Sequence, residues 1–460
     1  MPNATLDPHL HTDEPALRLK LDAAPLPATP LPVATTPPQF VPRADLGSAF
    51  RGTIVPRKPT AAYKGALLAV AVLMVLLPCL YAALTGLLGW WVHHYATQTL
   101  PRLLHGSLGL WLMAAFTAPA VAGAVMVLFM LKPLVVPRGR RMHPIKLLPQ
   151  AEPGLQAFTE RLCALLGAPR PRRIEVDCNV NAAASLRGGL RGFLRGEMTL
   201  TIGLPLVAGL SLEEFTGVLA HEFGHFTQGS AMRVTYLIRS VNAWFSRVVY
   251  ERDRLDEWLV GTMFTGFGAL TFVGVIANLG VWLSRLVLKT LMYLGHALSS
   301  VLLRQMEYDA DRCEARVVGS DTCAATTRRI GVLARTAADL EHDVVGQWQG
   351  TLRLPDDFPA LLAQRLEHLS AEKVERCESE LLALKASWAD SHPSPAQRIA
   401  AVRAAAEPGV FAAAGPATQL FEHFEPLSRA VSRAHYEDDL DLIVNADLLT
   451  PVERLLAGAR

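Results

Sequence analysis

Residues 65–92 read GALLAVAVLMVLLPCLYAALTGLLGWWV, a run of 28 residues without a charged side chain. Residues 103–131 form a second uncharged run of 29 residues. A bilayer core about 30 Å thick is crossed by roughly 20 apolar residues of helix, and a helix buried in a soluble domain rarely stays uncharged for longer. The two runs therefore predict a transmembrane hairpin over residues 61–132, and membrane helices tolerate the internal Pro78 and Pro119.

The composition of the whole chain also favours a membrane protein. Only 19% of the 460 residues are charged and 51% are hydrophobic, whereas a water-soluble domain carries about 25% charged residues. The net charge is +2, from 44 Lys and Arg against 42 Asp and Glu, so the chain has no excess of positive charge for binding nucleic acid. Its six cysteines lie far apart without a CxxC pair, which suits a reducing compartment.

A third apolar region predicts a second membrane hairpin over residues 258–303, turning near Gly280. Its first half is uncharged, and its second half is interrupted by Arg285, Lys289 and His296. Helical spacing places these three side chains on one face. That polar stripe either lies in water or in the interior of a helix bundle, or it lines a polar chamber that leads to Glu307. The expected total is about four transmembrane helices.

Basic residues flank the first hairpin on one side of the membrane only. The loop between its two helices carries Arg102 alone, whereas many lysines and arginines precede residue 61 and follow residue 131. The positive-inside rule then places the N-terminal tail and everything after Lys132 in the cytoplasm. The composition is rich in alanine and arginine, as in proteins of GC-rich bacterial genomes, and predicts a multi-pass protein of the bacterial inner membrane.

The remaining sequence divides into a tail and three other segments. Residues 1–60 hold 12 of the 31 prolines and predict a disordered tail, because such a stretch has little apolar surface to bury. Residues 144–254 predict the core of a soluble domain, and residues 304–405 predict its helical remainder. Residues 406–460 predict a C-terminal helical tail.

The periodicity of the soluble core predicts a mainly helical fold with a small β element. Residues 155–166 have helical periodicity that stops at Gly167. Residues 173–179 and 198–202 alternate in polarity as β-strands do. The glycine-rich residues 187–196 between them predict a loop.

The sequence HEFGH at residues 221–225 lies on a predicted helix that begins at a capping box, Ser211-Leu212-Glu213-Glu214. His221 and His225 are spaced i and i+4, so both imidazoles can bind one metal ion. Glu222 can then act as general base and take a proton from a water molecule on that ion. Zinc is the usual ion for two imidazoles and a carboxylate. The motif by itself also fits two hydrogen-bonded histidines on an ordinary helix.

A catalytic zinc site needs a third protein ligand besides the two histidines. The sequence EYDAD at residues 307–311 offers Glu307 on a second predicted helix, with Asp311 one turn later on the same face. Glu307 could bind the metal, and Asp311 could accept a hydrogen bond from the other ring nitrogen of a metal-binding histidine. Alternatively, both carboxylates lie on a solvated face with Arg304 and Arg312 as partners.

Four motifs, in this order, resemble the membrane-embedded zinc metallopeptidases typified by HtpX and the CAAX prenyl proteases. They are IGLPL at residues 202–206, VLAHEFGH at 218–225, EYDAD at 307–311 and HPSPAQRI at 392–399. The resemblance covers roughly residues 60–405 and includes membrane hairpins before and after the HExxH helix. The long proline-rich tail and the polar stripe of the fourth span depart from the family pattern.

This resemblance implies a gluzincin-type peptidase with a zincin-like catalytic domain that faces the cytosol. It implies that His221, His225 and Glu307 bind one zinc ion per chain. Glu222 would be the catalytic base, and Asp311 would support a metal-binding histidine from behind.

Two further segments supply candidate contacts with substrate. The sequence NAAA, from Asn181 to Ala184, resembles a family stretch beside the active-site cleft, where an extended strand would pair with a substrate peptide. The alternative is a plain loop of small residues. His392 and Arg398 are candidates to stabilise an oxyanion or a substrate carboxylate. Their segment also has the sequence of an ordinary helix start.

The leading prediction from the sequence is an integral-membrane zinc endopeptidase that hydrolyses membrane or membrane-proximal proteins. Its partners would be a protein or peptide substrate and the lipid bilayer, without nucleic acid. Two alternatives remain. One is a CAAX-type prenyl-protein protease, a branch that uses more membrane spans than are predicted here. The other is a non-catalytic membrane scaffold whose proline-rich tail recruits partners.

Overall fold

The computed structural model describes residues 46, 48–55, 60–105, 109–135, 144–186, 197–227, 230–250, 269–387 and 390–457. The helices are α1 (Ala61–His94), α2 (Leu100–Leu103), α3 (Leu110–Val135), α4 (Pro153–Leu166), α5 (Leu204–Gly209), α6 (Leu212–Gly224), α7 (Ser230–Tyr250), α8 (Ala269–Val318), α9 (Ser320–Thr351), α10 (Phe358–Glu367), α11 (Ala371–Ala383), α12 (Pro395–Ala405), α13 (Phe424–Ala434) and α14 (Val452–Ala457). The strands are β1 (Ile145–Leu147), β2 (Arg173–Asp177), β3 (Ala182–Leu186), β4 (Met198–Gly203), β5 (Leu354–Pro355) and β6 (Leu449–Thr450).

Three helical stretches within the described residues are long and apolar enough to cross a membrane. They are Ala61–Leu103, Ala115–Leu134 and Asn278–Val318. Long aliphatic side chains such as Leu68 and Leu76 of α1 are more than half exposed. An exposed surface of this kind is stable when lipid covers it. The mainly helical fold with a small sheet agrees with the predicted class of membrane protein.

The predicted turn near Gly280 is wrong, because α8 passes through that position as one helix of 50 residues. Gly280 is buried against α3, where an added Cβ atom would lie 3.4 Å from the Cα atom of Met126. Its missing side chain therefore permits close packing of two helices and does not mark a chain reversal. The start of the predicted hairpin, residues 258–268, lies outside the described residues. The described residues hold three candidate spans where the sequence predicted about four.

Helices α1, α3, α7 and α8 pack together around an apolar core. The hydroxyl of Tyr81 on α1 donates to the carbonyl of Met130 on α3 at 3.0 Å and lies 2.8 Å from the Ser284 hydroxyl on α8. This buried contact links three of the four helices. The buried side chains of the core include Leu67, Met74 and Tyr81 of α1, Ile238 and Phe245 of α7, and Leu288, Leu291 and Met292 of α8.

A four-stranded sheet lies in the soluble part, in the order β1-β2-β4-β3. Strands β2 and β4 are parallel, with Ile174 opposite Leu200, and β3 runs antiparallel to β4, with Ala184 opposite Leu200. Strand β3 therefore forms one edge of this sheet. The two predicted strands are confirmed, as is the helix end at Gly167, whose φ of 69° is one that glycine adopts readily. The predicted loop at residues 187–196 lies outside the described residues.

One hydrophobic core joins this sheet to the helix that carries the HExxH motif. Leu155 and Leu162 of α4, Leu200 of β4, and Phe215 and Phe223 of α6 are all fully buried in it. Truncating a buried Phe to Ala typically costs about 3–5 kcal/mol. The core therefore fixes α6 in position with respect to the sheet edge.

Part of the segment predicted as a disordered tail, residues 1–60, packs against the core. Residues 46 and 48–55 are described, and Leu46, Ala49 and Phe50 are buried. The Phe50 ring packs 4.7 Å from that of Phe411, and the backbone bridge between these two residues extends the contact. The predicted boundary is wrong because apolar side chains follow the prolines here and find a core to enter. The tail over residues 1–45 lies outside the described residues.

The predicted C-terminal helical tail over residues 406–460 is also wrong in part, because this segment belongs to the core. Phe411, Leu420, Val431 and Tyr436 are buried there. Strand β6 pairs with β5, and only α13 and α14 are α-helical. Buried side chains from Phe411 to Val444 pack this segment onto the core.

Candidate active site

The HEFGH motif occupies the C-terminal end of α6. The predicted capping box is formed, since the Ser211 N–H donates to Glu214 Oε2 at 2.9 Å and the Glu214 N–H donates to Ser211 Oγ at 3.2 Å. Such a cap is typically worth about 0.5–2 kcal/mol. The helix ends at Gly224, so His221 and Glu222 lie in its last turn and His225 lies at its C-cap.

Two glycines of α6 allow α8 to approach closely. An added Cβ atom at Gly217 would lie 3.1 Å from Glu314 Oε1, and one at Gly224 would lie 3.0 Å from the Cβ atom of Cys313. A larger residue at either position would push the two helices apart. The short distance between the helices lets the carboxylates of α8 reach the histidines of α6.

Three carboxylates of α8 face α6 at the helical spacing i, i+4 and i+7. They are Glu307, Asp311 and Glu314, which are 2%, 1% and 4% exposed. Sequence reasoning identified the first two and missed Glu314. The signal was present, because a third acidic residue followed Asp311 by three positions on the same helix face.

Glu307 lies between the two histidines of the motif. Its Oε2 atom is 3.5 Å from His221 Nε2, and its Oε1 atom is 3.7 Å from His225 Nε2. Ligand atoms about 2.0–2.1 Å from a tetrahedral zinc ion lie about 3.4 Å from one another. The three side chains therefore have the spacing and the donor atoms that a zinc ion requires.

Asp311 lies behind His221. Its Oδ1 atom is 3.1 Å from His221 Nδ1. The Arg398 guanidinium donates to Oδ1 at 2.5 Å and to Oδ2 at 2.9 Å. Because a carboxylate can only accept, His221 carries a proton on Nδ1 and turns Nε2 toward Glu307. Glu314 Oε2 lies 3.7 Å from the same Nδ1 atom. The contact between Asp311 and His221 Nδ1 is the one that the sequence predicted for Asp311.

Arg398 therefore lies behind the metal-binding group. Its side chain is 24% exposed and is held by Asp311. His392 takes the opposite place: its side chain is 60% exposed, and its Nδ1 atom is 3.2 Å from Glu307 Oε2. Of the two residues that the sequence paired as candidate substrate contacts, only His392 lies at the open side of the group.

Glu222 points to the edge of the sheet. Its Oε2 atom accepts a hydrogen bond from the Ala184 N–H at 3.1 Å. Ala184 lies in the middle of β3, so the predicted extended strand is present. Asn181 precedes this strand with an exposed side chain, and its backbone carbonyl accepts from the Gly203 N–H. The structure therefore joins Ala184, but not the Asn181 side chain, to the candidate base.

Arg239 of α7 is a residue that sequence reasoning missed. Its guanidinium donates to Glu307 Oε1 at 2.5 Å. Nothing in the sequence distinguishes this arginine from Arg233 and Arg247 on the same helix. Only the packing of α7 against α8 brings it to the carboxylate.

The titration of the imidazoles reflects these neighbours. Burial alone would lower the pKa of His221, but its hydrogen bonds with Asp311 and Glu307 raise it to about 10. Burial and the neighbouring His221 cation hold the pKa of His225 well below its usual value. Burial also raises the pKa of Glu222. The two histidines thus differ in protonation when no metal is bound.

The formal charges of the group favour a divalent cation. Four carboxylates, of Glu222, Glu307, Asp311 and Glu314, face two guanidiniums, of Arg239 and Arg398. The difference is two negative charges. Uncompensated charge in a buried place is costly, so the group must take up either protons or a cation. In the metal-free chain the His221 cation supplies one positive charge, whereas a zinc ion would supply two and leave the ring neutral.

The fold combines helices that are apolar enough to cross a membrane with a group of side chains that could hold a metal ion at an HExxH motif. The chain belongs to peptidase family M48, whose match covers residues 149–406, more than half of the chain. M48 peptidases depend on zinc, and the family resemblance predicted from the sequence is confirmed.

The chain has no match among curated proteins. Among solved structures, it is similar to the crystal structure of S. mikatae Ste24p, at 15% sequence identity and a TM-score of 0.25. That match covers 72% of this chain and 66% of the Ste24p chain, so the chain spans just under two thirds of the length of that protein.

Proposed function

We propose that this chain is an integral-membrane zinc metalloendopeptidase that hydrolyses peptide bonds in membrane or membrane-proximal proteins. The convergence of His221, His225 and Glu307 beside Glu222 carries the proposal. Glu307 lies on the same helix as a candidate membrane span. A peptidase site at the end of such a helix is within reach of chain segments that leave the bilayer.

His221, His225 and Glu307 would hold one zinc ion per chain. Zinc supplies Lewis-acid chemistry, which polarises a carbonyl group and makes a water molecule acidic enough to lose a proton near neutral pH. The hydrogen bond from His221 Nδ1 to Asp311 keeps the opposite ring nitrogen free for a metal. Arg398 in turn fixes the Asp311 carboxylate with two hydrogen bonds.

Glu222 would serve as general base and then as general acid. Burial raises the pKa of its carboxyl group, which makes the carboxylate a stronger base. The Ala184 N–H holds Oε2, which fixes the direction of the side chain. Glu222 can then take a proton from water and give it to the leaving amine.

Strand β3 would bind the substrate backbone by strand addition. The Ala184 N–H already faces outward from the sheet toward Glu222. At the other end of the strand, the Tyr236 hydroxyl of α7 donates to the Leu186 carbonyl at 2.8 Å. Helix α7 therefore closes the edge at Leu186, and a substrate strand has Ala182 to Ala184 to pair with. His392, at the open side, would contact the developing oxyanion.

We also propose that the protein lies in the bacterial inner membrane with this site in the cytoplasm. The support is the excess of lysine and arginine on both outer flanks of the first hairpin. Labelling of single cysteines from outside the cell should modify a residue near His94 and leave one near Arg398 unmodified. Labelling of a cysteine near Arg398 would show that the site faces the outside of the cell and would contradict the proposed orientation.

The proposed function is tested with the full chain in detergent and a matched pair of variants. Glu222→Gln should keep one zinc ion per chain and lower the cleavage of an unstructured reporter protein by about 10²–10⁴-fold, the usual contribution of a general base. Glu213→Gln, in the first turn of the same helix, should cleave at the wild-type rate. Wild-type turnover by zinc-loaded Glu222→Gln would refute the role of this carboxylate.

A further inference from the structure

Two polar contacts join α7 to α8 next to the candidate metal-binding group. Arg239 donates to Glu307 Oε1 at 2.5 Å, and Asn242 Nδ2 donates to the Ser299 hydroxyl at 3.0 Å. Residue numbers rise along α7 as they fall along α8, so the two helices are antiparallel at this seam. The arginine is the contact that lies nearest to the histidines.

Arg239 and Glu307 differ in their exposure. The arginine side chain is 41% exposed, whereas the glutamate side chain is 2% exposed. Arg239 therefore reaches a buried carboxylate from the open side. It binds Oε1, while Oε2 lies 3.5 Å from His221 Nε2 and 3.2 Å from His392 Nδ1. Each carboxylate oxygen has its own neighbours, so the plane of the carboxylate is fixed.

We propose that Arg239 is a positioning residue, which orients the Glu307 carboxylate for the metal ion. The inference rests on the proposed function, because it assumes that Glu307 is a metal ligand. Glu307 has three rotatable side-chain bonds, and the order that Arg239 imposes lowers the entropy that metal binding would otherwise have to remove. A partner that holds a metal-binding side chain in this way typically contributes about 10–100-fold to metal affinity.

The positive charge of Arg239 acts in the opposite direction, because it repels a metal cation. Its side chain is 41% exposed, so solvent screens this repulsion. Its hydrogen bond, in contrast, ends on a carboxylate that is almost completely buried, where such bonds are strong. The orienting effect therefore dominates, and removing the arginine weakens metal binding.

The arrangement gives each half of the metal-binding group its own arginine. Arg398 of α12 acts on His221 through Asp311, and Arg239 of α7 acts on Glu307 directly. The two arginines come from two different helices that both contact α8. Metal affinity consequently depends on how α7 packs, although α7 supplies none of the proposed ligands.

The test measures zinc affinity of the purified full chain by competition with a chromophoric chelator. Arg239→Met keeps much of the side-chain length and removes both the donor and the charge, and it should bind zinc about 10–100-fold more weakly than the wild type. Arg239→Lys keeps a donor and the charge, and it should stay close to wild-type affinity. Arg233→Met is the matched control at an exposed position of the same helix and should bind as the wild type does.

The outcomes separate this inference from the proposed function. Failure of the wild type to bind zinc would refute the proposed function. Zinc binding by Arg239→Met that is as tight as in the wild type, or tighter, would overturn the positioning role alone. If Arg239 had a merely structural role, Arg239→Met would lower the helicity and thermal stability of the metal-free chain. In that case Arg239→Lys would not restore zinc affinity. If Arg239→Met fails to fold, the zinc affinity of Arg239→Gln is measured in its place and compared with that of the wild type in the same way.

Discussion

The two ends of α8 present different chemistry on one continuous helix. Toward its N-terminal end, buried side chains such as Leu288, Leu291 and Met292 pack against α1 and α7 in an apolar core. Toward its C-terminal end, Glu307 and Asp311 each contact a histidine and an arginine. The apolar end is held by many weak contacts, and the polar end by a few strong ones.

This difference determines how substitutions should act. In the apolar end, a substitution removes packing contacts and so lowers the stability of the fold, which affects every function of the protein. In the polar end, each side chain has an identified partner, and a change should act first on metal binding. Measurements of zinc affinity and of stability on the same variants therefore distinguish the two ends.

The largest effect in the polar end is expected for Glu307→Ala. The variant removes one of three proposed ligands, so its loss of zinc affinity should exceed the roughly 10–100-fold that is typical of a supporting residue. Chelator competition on the purified chain measures it. Glu341→Ala, on the neighbouring helix α9, is the control. Full-strength zinc binding by Glu307→Ala would mean that the third ligand lies elsewhere.

A smaller loss is expected for Asp311→Ala. This carboxylate contacts His221 Nδ1 and Arg398 and would not touch the metal, so zinc affinity should fall by about 10–100-fold. Asp311→Asn keeps an acceptor oxygen for the ring N–H and should lose less. An effect as large as that of Glu307→Ala would make Asp311 a direct ligand.

The pH dependence of zinc binding should follow His221. Its pKa of about 10 in the metal-free chain means that the ring is protonated at neutral pH, whereas a metal needs the neutral ring. Binding then releases one proton, so the apparent zinc affinity should fall about tenfold for each unit by which pH is lowered between pH 8 and pH 6.5. Chelators calibrated at each pH give the affinity. A flat profile would show that His221 is already neutral without metal.

The membrane hairpin, the strands and the HExxH helix could be predicted from the sequence because each has a local signal. Uncharged runs, alternation and a capping box are properties of neighbouring residues. The turn near Gly280 could not be judged in this way. Glycine fits a turn and a close helix contact equally well, and only the position of Met126 in another helix decides between them.

The same distinction applies to the site. The spacing of His221, Glu222 and His225 on one helix, with a carboxylate pair on another, predicted the group that the structure brings together. Arg239 had no local signal, since its partner is 68 residues away along the chain. The sequence could not separate His392 from Arg398 for a related reason: only the fold places the first beside Glu307 and the second beside Asp311.

The smallest effect is expected in the apolar end of α8, for His296→Leu. Because α8 is continuous, the eleven residues from His296 to Glu307 span about 16 Å of one helix, which places the imidazole well inside the candidate span. An ionisable side chain at that depth tends to face protein or water and not lipid. The predicted polar stripe would make it part of a hydrated path to the site.

Zinc affinity of His296→Leu should equal that of the wild type, because none of the proposed ligands or their partners is changed. If the stripe lines a hydrated path, cleavage of a membrane-embedded substrate should fall a few-fold while cleavage of a soluble peptide is spared. Equal losses for both substrates, together with lower thermal stability, would assign His296 to packing, as expected for the apolar end. If neither substrate is cleaved more slowly, the imidazole has no role in the cleavage of either one. Effects on catalysis would then be confined to the polar end of α8.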